Sequence, residues 1–343
     1  MQYITKKEIQ RSTEEEIIEK VFKYYREHGF PYFKLINNEK RKEFKSVTNF
    51  TTLINLHKPD IIKQTMHGLA LAWSYFPHSW SIRCNNSISC MEVFNDDELF
   101  KKAIKKILLR SDRVSINEVR KVLKYVTQGV SNFRPTVAKY MYNKYGGDGV
   151  VWDMSTGYGG RLLGAITSDK IKHYIGTDPA IKSYNGIFEF KKDYENFVFF
   201  EQTSKFFKEF NKIKKIELHC IGSEDFLPEK ETLDLCFTSP PYFNCEKYSD
   251  EKTQSFIKFP ETLLWMKDFI GQTLENCYYG LKSNGILIIN VADVKSYPTL
   301  CDDFLKTAKF HGFNLIKTLR MTLSNIQGGN EKYEPIFILE KKS

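Results

Sequence analysis

The chain has 343 residues, of which 41% are hydrophobic and 15% aromatic, with 51 Lys and Arg against 42 Asp and Glu. This composition excludes a disordered or fibrous protein and predicts a globular one. Its longest apolar stretches, such as 286–289, fall far short of the ~20 residues that span a bilayer, so we expect no membrane partner.

The cysteines and the amino terminus favour a reduced, cytoplasmic protein. Seven scattered cysteines form no CxxC pair, which argues against a disulfide framework and a zinc ribbon. The first residues become acidic and helical in pattern where a signal peptide would need an apolar run. We predict no metal site among five residues that lack ligand spacing: His57, His67, His78, Cys84 and Cys90.

Nearly all of the excess positive charge lies in the first third of the chain. Residues 1–127 carry 23 Lys and Arg against 15 Asp and Glu, whereas residues 128–343 carry 28 against 27. This imbalance favours a polyanion partner, although solvated helix faces give the same pattern. The cations predicted to contact the polyanion are Lys101, Lys105, Arg120, Lys121 and Lys124.

The first third has a mainly helical pattern. Ser12 and Thr13 stand three residues before Glu15 and Glu16, which is the spacing of a capping box. Ser115 and Glu118 have the same spacing, and Asn95 is placed to cap a third helix. The last two of these helices form either a helix-turn-helix or a simple packing pair.

From residue 149, short apolar runs alternate with amphipathic segments. This alternation predicts a Rossmann-like α/β fold, with a parallel sheet covered by helices and an antiparallel hairpin at the end. We therefore predict a mainly helical domain over 1–127 and an α/β domain over 128–343. The predicted strands are 149–154, 173–179, 216–222, 233–241, 285–294, 313–321 and 334–341.

The first predicted strand ends in a glycine-rich turn, Asp-Met-Ser-Thr-Gly-Tyr-Gly-Gly, at residues 153–160. Glycines at a strand-to-helix turn let the backbone approach a ligand closely, and the helix amino terminus adds free N–H groups. No phosphate-binding lysine follows, which argues against a nucleoside triphosphatase.

Acidic residues follow at the next two strand ends. Asp178 lies 19 residues after Gly159, where an acid can accept both hydroxyls of a cofactor ribose. The alternative is that an Asp before Pro only forms a turn. Asp225 and Phe226 end the third strand, and their simplest roles are a helix cap and a core ring.

The fourth strand ends in Thr-Ser-Pro-Pro-Tyr-Phe, residues 238–243, the most specific motif in the chain. Consecutive prolines stiffen the turn and hold the flanking groups rigidly at the carboxyl edge of the sheet. The following aromatic residue can stack on a planar ring, whereas the alternative is a strand end with a core tyrosine.

The turn at 153–160 and the motif at 239–242 together resemble the paired signatures of S-adenosylmethionine-dependent DNA methyltransferases that modify an exocyclic amine, cytosine N4 or adenine N6. Residues 132–136, Asn-Phe-Arg-Pro-Thr, are similar to the segment that closes over the methionine end of the cofactor in these enzymes. The resemblance covers about residues 128–341. The glycine turn departs from the commonest Asp-Pro-Phe form of the family.

This resemblance implies S-adenosylmethionine as the cofactor, duplex DNA as the partner, and a role for each matching residue. The implied cofactor-binding residues are Phe133, Thr136, Asp153, Ser155, Gly157, Gly159, Asp178, Asp225 and Phe226. The implied catalytic residues are Ser239, Pro240, Pro241 and Tyr242. The residues expected to stack on the base are Tyr242 and Phe243.

The implied chemistry explains the charge of the first third. A base inside a duplex must be flipped out at a cost of a few kcal/mol, so phosphate contacts by residues 1–127 would supply binding energy. Serine at the start of the motif favours cytosine N4 slightly over adenine N6. We expect residues 243–260 to form a loop over the flipped base or a plain surface loop, and a chain starting near Gly129 to fold alone.

Other functions stay open at this point. The alternatives are an RNA or protein amine methyltransferase, a nucleic-acid-binding subunit without catalysis, and an NAD-dependent oxidoreductase, which the Pro-Pro turn does not favour. Enzymes of the resembled kind can act with a cognate restriction or defence-system partner. The sequence does not specify that partner, the recognition sequence or the oligomeric state.

Overall fold

The computed structural model describes residues 3–51, 58–85, 87–200, 214–323 and 332–342. The strands are β1 (Tyr3–Ile4), β2 (Ile61–Ile62), β3 (Arg83–Cys84), β4 (Val114–Ser115), β5 (Val150–Asp153), β6 (His173–Thr177), β7 (Lys215–His219), β8 (Leu233–Thr238), β9 (Glu246–Lys247), β10 (Leu281–Asn290), β11 (Phe313–Thr322) and β12 (Tyr333–Lys341).

The helices are α1 (Lys6–Arg11), α2 (Glu14–His28), α3 (Asn37–Thr48), α4 (Leu69–Ser74), α5 (Cys90–Asn95), α6 (Asp97–Leu108), α7 (Ile116–Thr127), α8 (Pro135–Tyr145), α9 (Gly160–Ile166), α10 (Ile181–Glu195), α11 (Ser255–Lys258), α12 (Thr262–Leu264), α13 (Gln272–Gly280) and α14 (Leu300–Phe310). A 3₁₀ turn covers Pro77–Ser81, and the π-helical segment Trp265–Gly271 joins α12 to α13.

Among the described residues, the main sheet has eight strands in the order β7-β6-β5-β8-β10-β12-β11-β2. Neighbouring strands from β7 to β10 run parallel, and β12 runs antiparallel to both β10 and β11. The predicted α/β sheet with a terminal antiparallel hairpin is therefore confirmed. Most of the predicted hairpin turn, 324–331, lies outside the described residues.

The main sheet is buried on both faces, as the apolar run of a strand such as β8 requires. Every residue of β8 is buried. Cys236 belongs to the core that also holds Trp265 and Phe304. The next residue, Phe237, packs against the Tyr142 ring of α8, with 5.4 Å between the ring centroids. Helices therefore cover both faces of the sheet.

The chain forms two compact units that do not follow a single cut in the sequence. Unit 1 comprises Met1–Phe33, Pro77–Ser131 and Glu246–Tyr248. Unit 2 comprises Lys34–Phe76, Asn132–Cys245 and Ser249–Ser343. These units differ from the predicted domains, 1–127 and 128–343, chiefly because residues 34–76 belong with the main sheet.

Residues 34–76 are joined to the rest of unit 2 by backbone pairing and by a buried charge. β2 pairs with the edge strand β11, which adds the eighth strand to the sheet. At the end of α3, the ammonium group of Lys139 donates to the carbonyls of Val47, Thr48 and Phe50 at 3.2, 2.6 and 3.3 Å. A chain that starts at Gly129 would lose both contacts, so its folding alone stays a prediction that these contacts disfavour.

Unit 1 is mainly helical, with two short strand pairs, β1–β4 and β3–β9. Thr13 and Glu16 form the predicted capping box of α2. The cap of α6 is Asp96 instead of the predicted Asn95, because the Asp96 side chain accepts the Leu99 N–H at 2.8 Å. No helix in the described ranges is long and apolar enough to cross a membrane.

We expect Lys139→Met to lower the free energy of unfolding by about 2–4 kcal/mol, because three carbonyls at the end of α3 lose a charged donor. Urea unfolding followed by circular dichroism measures this loss. The matched control is Lys144→Met on the same helix, where the side chain is exposed and the change should stay below about 0.5 kcal/mol. Equal effects of the two variants would contradict the capping role of Lys139.

Candidate functional site

The connections of the main sheet reverse direction at β5, which makes it the topological switch point. From β5 the chain passes to β6 and β7 on one side, and later to β8 and β10 on the other. Ligands of open parallel sheets bind outside the carboxyl ends of the strands at such a point. These ends carry Asp153 and Thr238, and the Thr238 hydroxyl donates to Asp153 Oδ1 at 3.1 Å. The glycine turn and the Ser-Pro-Pro-Tyr motif therefore lie side by side.

Asp153 is fully buried and shares its carboxylate among protein donors. Arg161 Nε lies 3.0 Å from Oδ2, and the Tyr174 hydroxyl donates to the same oxygen at 2.7 Å. Arg161 also donates to the carbonyl of Ser155 in the turn. Asp153 therefore stabilises the turn from inside the protein. Its influence on cofactor binding would act through the backbone of the turn.

Two glycines give the turn its shape. Gly157 has φ +55° and Gly159 has φ +73°, in the left-handed region that favours glycine. A Cβ on Gly159 would meet the rings of Phe190 and Phe76 at 3.0–3.2 Å. Among the described residues, a Cβ on Gly157 would meet only the Ser155 carbonyl, at 3.8 Å. Open space therefore adjoins the backbone at Gly157, as a ligand-binding turn requires.

The segment predicted to close over the cofactor lies directly against this turn. Asn132 Nδ2 donates to the Tyr158 carbonyl at 2.8 Å. A Cβ on Gly160 would lie 2.0 Å from the Phe133 carbonyl oxygen, so only glycine allows this approach. Thr136 is fully buried. Residues 132–136 therefore support the turn, and Phe133 and Arg134 are the partly exposed members of this segment.

Asp178 follows β6 and braces the same turn. Its Oδ2 accepts the Gly157 N–H at 2.9 Å, and its Oδ1 accepts the Ala180 N–H at 3.0 Å. Burial raises the pKa of Asp178 from 3.8 to about 6, although the two N–H donors act in the opposite direction. The Thr156 hydroxyl also lies 3.5 Å from Oδ2, so Oδ1 is the oxygen that keeps a further lone pair for the predicted hydrogen bond with a ribose hydroxyl.

The third acidic turn is paired with a lysine that sequence reasoning missed. Lys258 Nζ lies 2.5 Å from the carboxylate of Asp225, which is exposed. The Phe226 ring packs against Trp152 and His219, with 5.1 and 4.7 Å between ring centroids. Phe226 is thus a packing residue of the strand ends, and Asp225 would have to bind a cofactor while its other oxygen is paired with Lys258.

The Ser-Pro-Pro-Tyr turn presents Ser239 and Tyr242 at the carboxyl edge of the sheet, where both are partly exposed. The Tyr242 hydroxyl lies 3.5 Å from Ser239 Oγ and donates to Glu334 of β12 at 2.7 Å. It also lies 3.4 Å from the Asn290 carbonyl oxygen at the end of β10. Pro240 is buried and Pro241 is partly exposed. The tyrosine is therefore tied to two neighbouring strands.

Phe243 does not share this exposure. It has φ +54°, and its buried ring packs against Trp265 and Tyr297, with 5.9 and 6.3 Å between ring centroids. A base cannot stack on a ring that is already enclosed by the core. The predicted stacking role of Phe243 is therefore corrected to core packing.

One part of residues 243–260 contacts unit 1, and another part contacts unit 2. β9 pairs with β3 inside unit 1. Farther along, the Glu251 carboxylate accepts the Ile181 N–H at 3.3 Å, three residues after Asp178. Where this segment contacts unit 2, the contact is beside the predicted ribose acid, and a place over the target base stays a prediction.

The cations predicted to contact DNA have partners within unit 1. These are Glu19 for Lys101, Glu14 for Lys105, Glu118 for Lys121 and the Trp80 ring for Lys124. Arg120 donates to the carbonyls of Pro31 and Tyr32 at 2.8 and 2.7 Å, and burial lowers its pKa to about 10. These contacts hold Arg120 within unit 1, and its contact with DNA stays a prediction.

Besides Lys258, three residues of the site were not predicted. Arg161 directly follows the glycine turn that Asp153 begins, so an ion pair between the two residues could have been predicted from the sequence. Tyr174 and Glu334 approach from other strands, and no local pattern marks them.

The described residues contain no group of three or more His, Cys, Asp or Glu side chains that could hold a metal ion. The seven cysteines are free thiols. His57, one of the residues considered for metal binding, lies outside the described residues.

No family model and no curated protein matches the chain. The solved structures similar to it include TrmN from Thermus thermophilus, at 17% identity and TM-score 0.39 over 60% of this chain and 48% of that one. TYW2 from M. jannaschii in complex with AdoMet has 14% identity and TM-score 0.37, over 62% and 78%. A SAM-dependent O-methyltransferase from Thermotoga maritima has 11% identity and TM-score 0.37, over 63% and 68%.

We expect the affinity for S-adenosylmethionine to rise as Asp178 ionises. Hydroxyls donate more strongly to a carboxylate than to a carboxylic acid, so binding should tighten by about fivefold as the pH passes upward through about 6. Because the pKa of Asp178 is higher in the folded protein than its ordinary value of 3.8, the free energy of unfolding should fall as the pH rises from about 4 to about 6 and level off above that.

Titration calorimetry across this pH range measures the change in affinity. Asp178→Asn should weaken binding and remove the pH dependence, whereas Asp225→Asn should retain it. An affinity of the unmodified protein that stays constant through pH 6 would limit Asp178 to bracing the turn.

Proposed function

We propose that this chain is an S-adenosylmethionine-dependent methyltransferase that modifies an exocyclic amine of a base flipped out of duplex DNA. Cytosine N4 is slightly favoured over adenine N6 as the target. The observation that best supports the proposal is the hydrogen bond from Thr238 to Asp153, because it joins the two motifs at the switch point of the sheet.

The residues on the cofactor side fit such a ligand. Open space adjoins Gly157, and the Asp178 carboxylate can accept the hydroxyls of a ribose. The buried pair of Asp153 and Arg161 keeps the turn in this shape. S-adenosylmethionine, when bound, supplies a methyl group attached to a positively charged sulfur.

The residues on the target side suit an aromatic amine. Such an amine is a poor nucleophile, because its lone pair is delocalised into the ring. If its two N–H groups donated hydrogen bonds to Ser239 Oγ and the Pro240 carbonyl, the nitrogen would become more tetrahedral. Tyr242, partly exposed and next to these acceptors, would stack on the base.

Binding to DNA requires positive charge at the protein surface. The excess of residues 1–127 is shared between the units, because unit 1 carries 17 Lys and Arg against 13 Asp and Glu, and residues 34–76 carry 7 against 3. We assign part of the phosphate contact to α6, where Lys102 and Lys106 are exposed one turn apart. Lys101 and Lys105 on the same helix are paired with glutamates.

The proposal is tested by incubating the protein with isotope-labelled S-adenosylmethionine and unmodified genomic DNA, with total RNA in parallel. Mass spectrometry of the released nucleosides should find labelled N4-methylcytosine or N6-methyladenine from DNA. Label confined to RNA would replace the proposed substrate by the RNA alternative. Cofactor binding without transfer to either would indicate a binding subunit.

Ser239→Ala and Tyr242→Ala should lose methylation and retain cofactor affinity. Base stacking is worth ~1–3 kcal/mol, so loss of Tyr242 should reduce the rate or the DNA affinity at least about tenfold. Tyr279→Ala removes an equally large ring, 41% exposed on α13, and is the matched control. Normal methylation by Tyr242→Ala would remove this residue from the target site.

Lys102→Gln combined with Lys106→Gln should weaken DNA binding and make it less salt-dependent. Two lost phosphate contacts should reduce the slope of log affinity against log salt concentration by about 2. Fluorescence anisotropy with a labelled duplex of mixed sequence measures the slope. Lys306→Gln combined with Lys309→Gln on α14 changes the charge equally and should leave the slope unchanged. Equal slopes for both pairs would exclude α6 from the contact.

A further inference from the structure

Glu334 lies on β12 beside the Ser-Pro-Pro-Tyr turn, although no motif marks it in the sequence. Its Oε1 accepts the hydrogen bond of the Tyr242 hydroxyl at 2.7 Å. Burial raises the pKa of Glu334, whereas its hydrogen bonds with Tyr242 and Asn290 and the charge of Arg134 act in the opposite direction. A desolvated carboxylate is thus directed at the hydroxyl of the proposed stacking residue.

The groups around this carboxylate are themselves held in place. Asn290 Nδ2 donates to the Pro335 carbonyl at 2.9 Å, which links β10 to β12 at this point. Arg134 Nε donates to Gln64 Oε1 at 2.5 Å. The backbone N–H of Gln64 donates to the Thr322 hydroxyl at 3.3 Å, at the end of β11. Glu334 therefore has a fixed environment formed by three strands and the segment before α8.

We propose that Glu334 is a positioning residue that holds the Tyr242 ring as a preformed stacking surface for the target base. This inference rests on the proposed function. The contact of the Tyr242 hydroxyl with Glu334, at 2.7 Å, is shorter than its contacts with the Asn290 carbonyl at 3.4 Å and Ser239 Oγ at 3.5 Å. Loss of the short contact should loosen the ring, because Tyr242 is only partly buried. Because the Tyr242 ring is held before the base binds, its side-chain torsions lose no further entropy when the base stacks on it.

Glu334 acts through the tyrosine in this scheme. On the target side Glu334 contacts the Tyr242 hydroxyl, and Ser239 Oγ lies 3.5 Å from that same hydroxyl. The hydroxyl thus stands between the carboxylate and the proposed amine acceptor. Removing the Tyr242 hydroxyl should therefore make Glu334 dispensable for target binding, and this requirement separates positioning from a general structural role.

The kinetic test is a double-mutant cycle of Glu334→Ala and Tyr242→Phe, with KM and kcat measured on genomic duplex DNA. Glu334→Ala should raise the KM for DNA by about tenfold, and it should have no further effect in the Tyr242→Phe protein. Glu334→Gln keeps an acceptor oxygen and should restore most of the loss. Additive effects, or an equal loss of S-adenosylmethionine affinity, would overturn the proposal.

A second measurement does not depend on methyl transfer. Fluorotyrosine placed at position 242 should give a ¹⁹F resonance that shifts in Glu334→Ala and stays unchanged in Glu340→Ala, a control on the same strand. An identical resonance in Glu334→Ala would overturn the positioning role. If the resonance shifts but no DNA is methylated, the positioning contact is supported and the proposed substrate is wrong.

Discussion

The arrangement of the carboxyl edge of the sheet depends on one buried carboxylate. Asp153 ends β5 and receives Arg161 from α9, Tyr174 from β6 and Thr238 from β8. Desolvating a carboxylate costs several kcal/mol, so the fold tolerates it only while these donors are in place. This single group consequently fixes the glycine turn, the neighbouring strand β6 and the strand β8 that leads into the Ser-Pro-Pro-Tyr motif. A preorganised site requires such rigidity.

Residues 34–76 support this edge from two directions. The Phe76 ring lies so close to Gly159 and Gly186 that a Cβ on either would approach it to 3.2 Å or less, so it packs beneath the glycine turn. On the target side, Gln64 binds Arg134, whose charge acts on Glu334. The proposed catalytic unit thus includes residues 34–76, which precede its first parallel strand by many residues. This segment supports both the cofactor side and the target side of the site.

The parallel sheet, its terminal hairpin and the chain positions of both motifs follow from local signals, because apolar runs, glycine turns and proline pairs are visible within a few residues. The predicted strand 233–241, for example, contains all of β8. Nonlocal partners leave no such signal. A charge count cannot show that Arg120 binds carbonyls or that Lys139 caps a distant helix. An aromatic residue after a Pro-Pro turn is equally compatible with exposure and with burial, which is why Phe243 was misplaced.

The pairing of β2 with β11 affects how the protein is made. Hydrogen bonds at this edge join residues 260 apart in sequence, Ile62 and Thr322. Ribosomes add ~5–20 residues per second, so β2 waits on the order of tens of seconds before its neighbour is synthesised. Unit 2 therefore cannot complete its sheet from the amino terminus onward. During synthesis its early helices must remain unfolded, pack provisionally or be held by chaperones until the carboxyl-terminal hairpin emerges.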